Sequence, residues 1–152
     1  VKLVCTIYDD DPDAVAAQSR YFLEGVVGVN RRILRSRAGK SIPPLYSSGI
    51  VFRQEPWAEE VQKYANILEV IEQGFGDCKH LCAWRMAEHR EQNPGLVFGF
   101  KFTLRTITRY GDPAAVTDRR ARVIFDIYHV QIELPAGFAD STIEDVSRFL
   151  HQ

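Results

Sequence analysis

Apolar residues recur at helical spacing early in the chain and at strand spacing in its last third. From about residue 14 to residue 35, Val15, Tyr21, Phe22, Val26, Val29, Ile33 and Leu34 predict a helix with one apolar side. Asp9-Asp10-Asp11-Pro12 ahead of it is a helix start, with an acidic cap and Pro where a backbone N–H has no partner to lose. Gly25 and Gly28 interrupt the pattern, so it reads either as one weakened or closely packed helix or as two shorter ones. Residues 1 to 8 alternate loosely and predict a strand at an edge. Residues 38 to 49 contain Pro43-Pro44 and two Gly, the strongest loop signal in the chain.

Further on, Ile50-Val51-Phe52 predicts a short strand, and residues 55 to 60, with Trp57, an irregular segment. Residues 61 to 73 predict a helix closed by Gly74, with Ile67, Leu68, Val70 and Ile71 buried. Gly76-Asp77-Cys78 opens another helix, which runs to about Gln92 and ends at Asn93-Pro94-Gly95. Residues 96 to 110 and 121 to 134 are rich in Val, Ile, Phe, Thr and Tyr and predict a long antiparallel hairpin turning near Gly111-Asp112-Pro113. A short helix over residues 142 to 150 closes the chain. Helices followed by strands predict an α+β fold rather than an alternating one. With 152 residues and no repeat or low-complexity break, a single domain over residues 1 to 152 is expected.

Charge narrows the function classes. Nineteen Lys and Arg against 20 Asp and Glu give a formal net charge of −1, without the basic footprint of a nucleic-acid-binding domain. The local cluster Arg31, Arg32, Arg35, Arg37 and Lys40 reads as a solvated helix end, with an anionic partner as the alternative. No apolar run reaches the ~20 residues of a membrane span. Val1-Lys2-Leu3-Val4-Cys5 is too short and too soon polar for a signal peptide. Three cysteines at uneven spacing are no disulfide framework and leave room for a reactive thiol.

Gln73-Gly74-Phe75-Gly76-Asp77-Cys78 is the most informative stretch. It places a cysteine where glycine-rich chain becomes a helix. The N–H groups and partial positive charge there favour a thiolate, so the thiol pKa is expected to fall. The same N–H groups suit an oxyanion. Against this stands the ordinary reading of a free cysteine as a small buried hydrophobe. A thiolate nucleophile needs a base and an orienting group. His129, within the β-run Asp126-Ile127-Tyr128-His129-Val130-Gln131, is the candidate base. Asp145 and Asp140 are both candidate orienting groups, and either also suits the cap of the last helix. Cys78 and Cys82 share a helix face with His80 between them, but zinc sites favour C-x2-C with a second pair, which is missing. Gly39-Lys40-Ser41 lacks the first glycine of a phosphate-binding loop, since that position is Leu34. Trp57 and Trp84 read as core or pocket wall, and Cys82 as core.

Gly74-Phe75-Gly76-Asp77-Cys78, followed by Leu81, Ala83-Trp84-Arg85 and Ala87-Glu88, resembles the cysteine motif of transglutaminase-like domains, in particular small versions encoded by phages and prophages. Phe52-Arg53-Gln54-Glu55-Pro56 and Glu59-Glu60 resemble the segment leading into it. Tyr128-His129-Val130-Gln131 resembles the family's histidine strand, and Ile143-Glu144-Asp145-Val146-Ser147-Arg148 its acidic I-E-D-P-S-R segment. The similarity spans roughly residues 50 to 150 and leaves residues 1 to 40 outside. Three departures stand out: Lys79-His80 follows the cysteine where the family has acidic residues, Val146 replaces proline, and the loop before Asp145, Pro135 to Ser141, is longer.

The resemblance implies a papain-like α+β fold, with the cysteine helix packed on an antiparallel sheet. It also selects Asp145 over Asp140, giving a Cys78-His129-Asp145 triad that acts on an amide or ester carbonyl without metal or organic cofactor. Gln73 is a candidate second oxyanion donor and Trp57 a candidate substrate contact. The expected partner is a protein or peptide-like substrate, peptidoglycan included. Water as acceptor gives hydrolysis and an amine gives transfer. The rival reading is a non-catalytic phage virion or tail component that retains the fold and binds other phage structural proteins. A cytoplasmic or virion-associated location follows from these readings.

Overall fold

The chain is described here by a computed structural model covering residues 12–54, 63–110 and 122–150, with the backbone alone at residues 12, 104–110 and 122–128. The strand expected at residues 1 to 8, Cys5, Trp57 and the turn of the expected hairpin lie outside the described residues.

Helix α1 spans Pro12–Arg35 without a break. Gly25 and Gly28 lie on its exposed side, where an added side chain meets nothing, so they neither divide the helix nor serve a close approach. Its buried stripe is Leu23, Val27 and Asn30, flanked by Phe22, Val26 and Leu34. Tyr21 and Val29, expected inside, are 80% and 49% exposed. Each lies two residues, or about 200°, from a buried neighbour, and in the adjacent apolar pairs of this helix spacing alone did not fix the face. Two of the clustered arginines are not merely solvated. Arg31 and Arg35 each bond Glu91, at 2.6 and 2.7 Å, tying the end of α1 to a later helix.

After two short 3-10 turns, Ala38–Ser41 and Leu45–Ser47, comes strand β1, Val51–Phe52. Helix α2 is Ile67–Gln73, shorter than predicted because Asn66 caps it. The Asn66 side chain accepts from Leu68 and Glu69 N–H while Glu69 reaches back, a capping box. Ile67 and Val70 are buried, but Leu68 and Ile71 face outward. Gly74 ends α2 at φ 78°, a left-handed position that suits glycine. Strand β2, Phe75–Gly76, then pairs in parallel with β1.

Helix α3, Cys78–Gln92, is the centre of the molecule and matches the predicted span. Leu81, Cys82, Ala83, Trp84, Met86 and Ala87 are fully buried. Its buried polar residues have partners. Glu88, for example, accepts from Trp84 Nε1 at 2.9 Å and from Leu45 N–H at 2.7 Å. α1 covers one side of α3, where Arg90 forks onto Glu24.

Strands β3, Gly99–Tyr110, and β4, Arg122–Glu133, form the expected hairpin pairing, in register from Gly99↔Glu133 to Tyr110↔Arg122. Phe100, Val130 and Ile132 are buried within the core that α3 also fills. The predicted C-terminal helix over residues 142 to 150 is mostly something else. Ile143–Glu144 is a third strand, β5, antiparallel to Ile132 and Glu133, and only Val146–Phe149 is helical, as α4. Ile143 and Glu144 complete the sheet edge, and that pairing outweighs their helical spacing. The fold is α+β, with helices packed on a small antiparallel sheet. Among the described residues, no helix is long and apolar enough to cross a membrane.

Candidate active site

Three chain segments position Cys78. β1 holds the approach to it: Val51 N–H donates to Gly74 O at 3.4 Å and Arg53 N–H to Gly76 O at 2.9 Å. Gly76 is closely covered: a Cβ there would stand 3.0 Å from Leu81 Cδ2 and 3.3 Å from His80 Cβ, so those side chains would have to give by a few tenths of an ångström. Asp77 then caps α3, accepting from Lys79 N–H at 3.1 Å and His80 N–H at 3.2 Å. Lys79 and His80, the two residues after the cysteine, are both engaged at this cap. Lys79 forms a buried ion pair with Asp77, and its ammonium lies 5.9 Å from the centre of the Tyr64 ring. His80 packs back on Asp77 and shares a 2.8 Å hydrogen bond with Lys63 O.

Cys78 is therefore the first residue of α3, as expected, and the backbone of Val130 acts on its thiol in favour of the thiolate. Cys82, one turn later, donates to Val130 O at 3.2 Å. β5 pairs β4 at residues 132 and 133, and the two thiols meet the β4 edge at residue 130. The expected low thiol pKa is not found in this resting arrangement. Burial pushes Cys78 up to about 11, and the Asp77 carboxylate adds to the rise. The Val130 and Lys79 backbone and the Lys79 ammonium pull the other way without overcoming it. Burial also raises the Cys82 thiol, which is wholly enclosed.

His129, next to Val130, is buried, and its Nε2 lies 2.8 Å from Asp145 Oδ2. Asp145 precedes α4 but makes no capping bond to it. Its carboxylate instead gathers His129, Gln131 Nε2 at 3.1 Å and Ser147 Oγ at 2.8 Å. Burial alone would raise the Asp145 pKa, but the His129, Ser147 and Gln131 contacts hold it below its ordinary value. Asp140, its rival by spacing, is exposed in the turn before β5. Spacing did not single out Gln131, although two residues along a strand places it on the His129 face.

Gln73 is exposed at the end of α2, and Trp57 is outside the described residues. Trp84 and Cys82 are core, as read from the sequence. Among the described residues, no group of three or more His, Cys, Asp or Glu side chains is arranged to hold a metal ion. A groove of about 370 Å³ between α1 and the sheet, lined in part by Asp13, Arg20, Lys101 and Glu133, includes none of Cys78, His129 and Asp145. Chemically, the site offers a thiol at a helix N-terminus beside a strand that carries a carboxylate-bound imidazole. Compared with protein-family models, curated proteins and solved structures, the chain matches none.

Proposed function

We propose that this chain is a transglutaminase-like cysteine enzyme domain, with the papain-like form of the α+β fold, that opens an amide or ester carbonyl of a protein or peptide-like substrate. One observation carries the reading. His129 is held by Asp145 at 2.8 Å, on the strand whose next residue, Val130, supplies the backbone that favours the Cys78 thiolate. Nε2 is engaged by Asp145, so Nδ1 is the nitrogen assigned to the nucleophile's proton.

With a resting pKa of about 11 the thiol is protonated at neutral pH. Attack therefore transfers its proton to His129 as the sulfur–carbon bond forms. The backbone N–H of Cys78 is the candidate oxyanion donor, supported by the α3 N-terminus. Collapse breaks the carbonyl bond to the leaving group, which takes the proton from His129 and leaves a thioester on Cys78. Water or an amine then attacks the thioester, completing hydrolysis or transfer.

A second reading, a non-catalytic phage virion or tail component, draws support from the half-buried, high-pKa thiol. Alkylation of Cys78 with iodoacetamide, in a chain with Cys5 and Cys82 replaced, separates the two. The enzyme reading expects labelling at neutral pH, well below the ~8.5 of an ordinary thiol, and its loss in His129→Ala. Labelling that rises only toward pH 11, with or without His129, sinks it in favour of the structural component.

A further inference from the structure

We propose that Glu144 is a positioning residue for the triad: held by Arg85, His89 and Tyr46, it clamps the two-residue strand that leads to Asp145 onto the helix that carries Cys78. The inference rests on the triad reading above. Its starting point is the periodicity of α3. Cys78, Cys82, Arg85 and His89 follow one another at intervals of four, three and four residues, so they form one stripe along the helix. Along that stripe the contacts progress from β4 to β5. Cys78 and Cys82 meet the backbone of Val130, then Arg85 Nε meets Glu144 Oε1 at 2.9 Å and His89 Nε2 meets Glu144 Oε2 at 2.5 Å.

Glu144 also accepts from the Tyr46 hydroxyl at 2.5 Å, so both of its oxygens are occupied. Behind it, Arg85 Nη1 bonds Glu88 at 2.9 Å, and His89 stacks on Phe98 with ring centres 4.8 Å apart. β5 pairs with β4 at only two positions, a weak hold by itself. Asp145 directly follows Glu144, so anchoring Glu144 to α3 fixes the chain one residue before the carboxylate that binds His129. The same stripe thus places the nucleophile against β4 and fixes the reach of the carboxylate that orients the base. This cluster lies away from the reacting atoms and acts through Asp145.

The test uses the full chain, with 15N-labelled histidine and iodoacetamide as the probe. The His129 ring signals are assigned by their absence in His129→Ala. Glu144→Ala is expected to move them toward those of Asp145→Ala and to slow Cys78 alkylation by on the order of tenfold. Arg90→Ala removes bonds to Glu24 and the Phe98 carbonyl on the α1 side of α3, and is expected to lower Tm without moving either readout. Glu144→Gln keeps volume and one acceptor, shifts both readouts the same way by less, and serves if Glu144→Ala does not fold. His129 signals unchanged in the Glu144 variants overturn the clamp. If His129→Ala labels as fast as the wild type, the triad fails instead, and the His129 signals still decide the clamp.

Discussion

Cys78 stands between two charges of opposite sign. The Asp77 carboxylate raises its pKa and the Lys79 ammonium lowers it, while those two groups pair with each other. Asp77→Asn keeps an N-cap acceptor but removes the negative charge. In a His129→Ala background, which removes the base, it is expected to bring the alkylation midpoint down in pH, and Lys79→Met is expected to move it up. Equal midpoints for the two variants would show that charge at the cap does not govern the thiol. At this scale the sequence carried part of the answer. Cys78 at a helix start was legible, because a glycine-rich turn and an Asp cap precede it. The burial that reverses the sign of its pKa shift was not, because it comes from β4 and the core, far away in sequence. Spacing left Asp145 and Asp140 equal. They are separated by β5, which brings Asp145 beside His129 and leaves Asp140 in an exposed turn.

Elements were most readable where their ends carry chemistry. α3 has Asp77 at one end and Asn93-Pro94 at the other, and its predicted span is the observed one. α2 begins later than its apolar pattern suggested because the Asn66 and Glu69 capping box fixes the start. β5 was hidden, since two residues have no readable period and their strand state depends wholly on pairing with Ile132 and Glu133. The parallel pair of β1 with β2 was equally hidden, yet it sets how the cysteine turn enters α3. Gly76→Ala tests that entry. The new Cβ would crowd Leu81 and His80 at 3.0 and 3.3 Å, and crowding of this kind in a packed site costs about 1–3 kcal/mol. Urea denaturation is expected to show that loss, and Cys78 labelling is expected to change with it. A neutral Gly76→Ala would mean that the turn has slack the geometry does not show.

For the whole molecule, the half-buried site bounds stability from both sides of the pH scale. Burial raises the Glu144 pKa, but the His89, Tyr46 and Arg85 contacts outweigh it and hold the carboxyl at about 2. Its folded pKa lies below the ~4.3 of an unfolded Glu, so the native state binds fewer protons between those values. The stabilisation is complete above about pH 4.3 and is lost as pH falls toward about 2. Asp145, also lowered, adds to the same limb. The thiol works in the opposite sense. Cys78 at about 11 lies above the ~8.5 of an unfolded thiol, so the unfolded chain loses its proton first. That contribution is present below about pH 8.5 and is lost as pH rises toward about 11, with Cys82 and Tyr46, both raised mainly by burial, acting in the same direction. Urea midpoints measured across this range should therefore form a dome with its plateau between about pH 4.5 and 8.5. Glu144→Gln should flatten the acid limb even though it lowers the plateau, because it removes the titrating group along with the ion pairs. Cys78→Ser should flatten part of the alkaline limb and leave the acid one unchanged. If both variants keep the wild-type slopes, the pH dependence arises outside the site, and the arrangement of Cys78, Glu144 and Asp145 does not persist in solution.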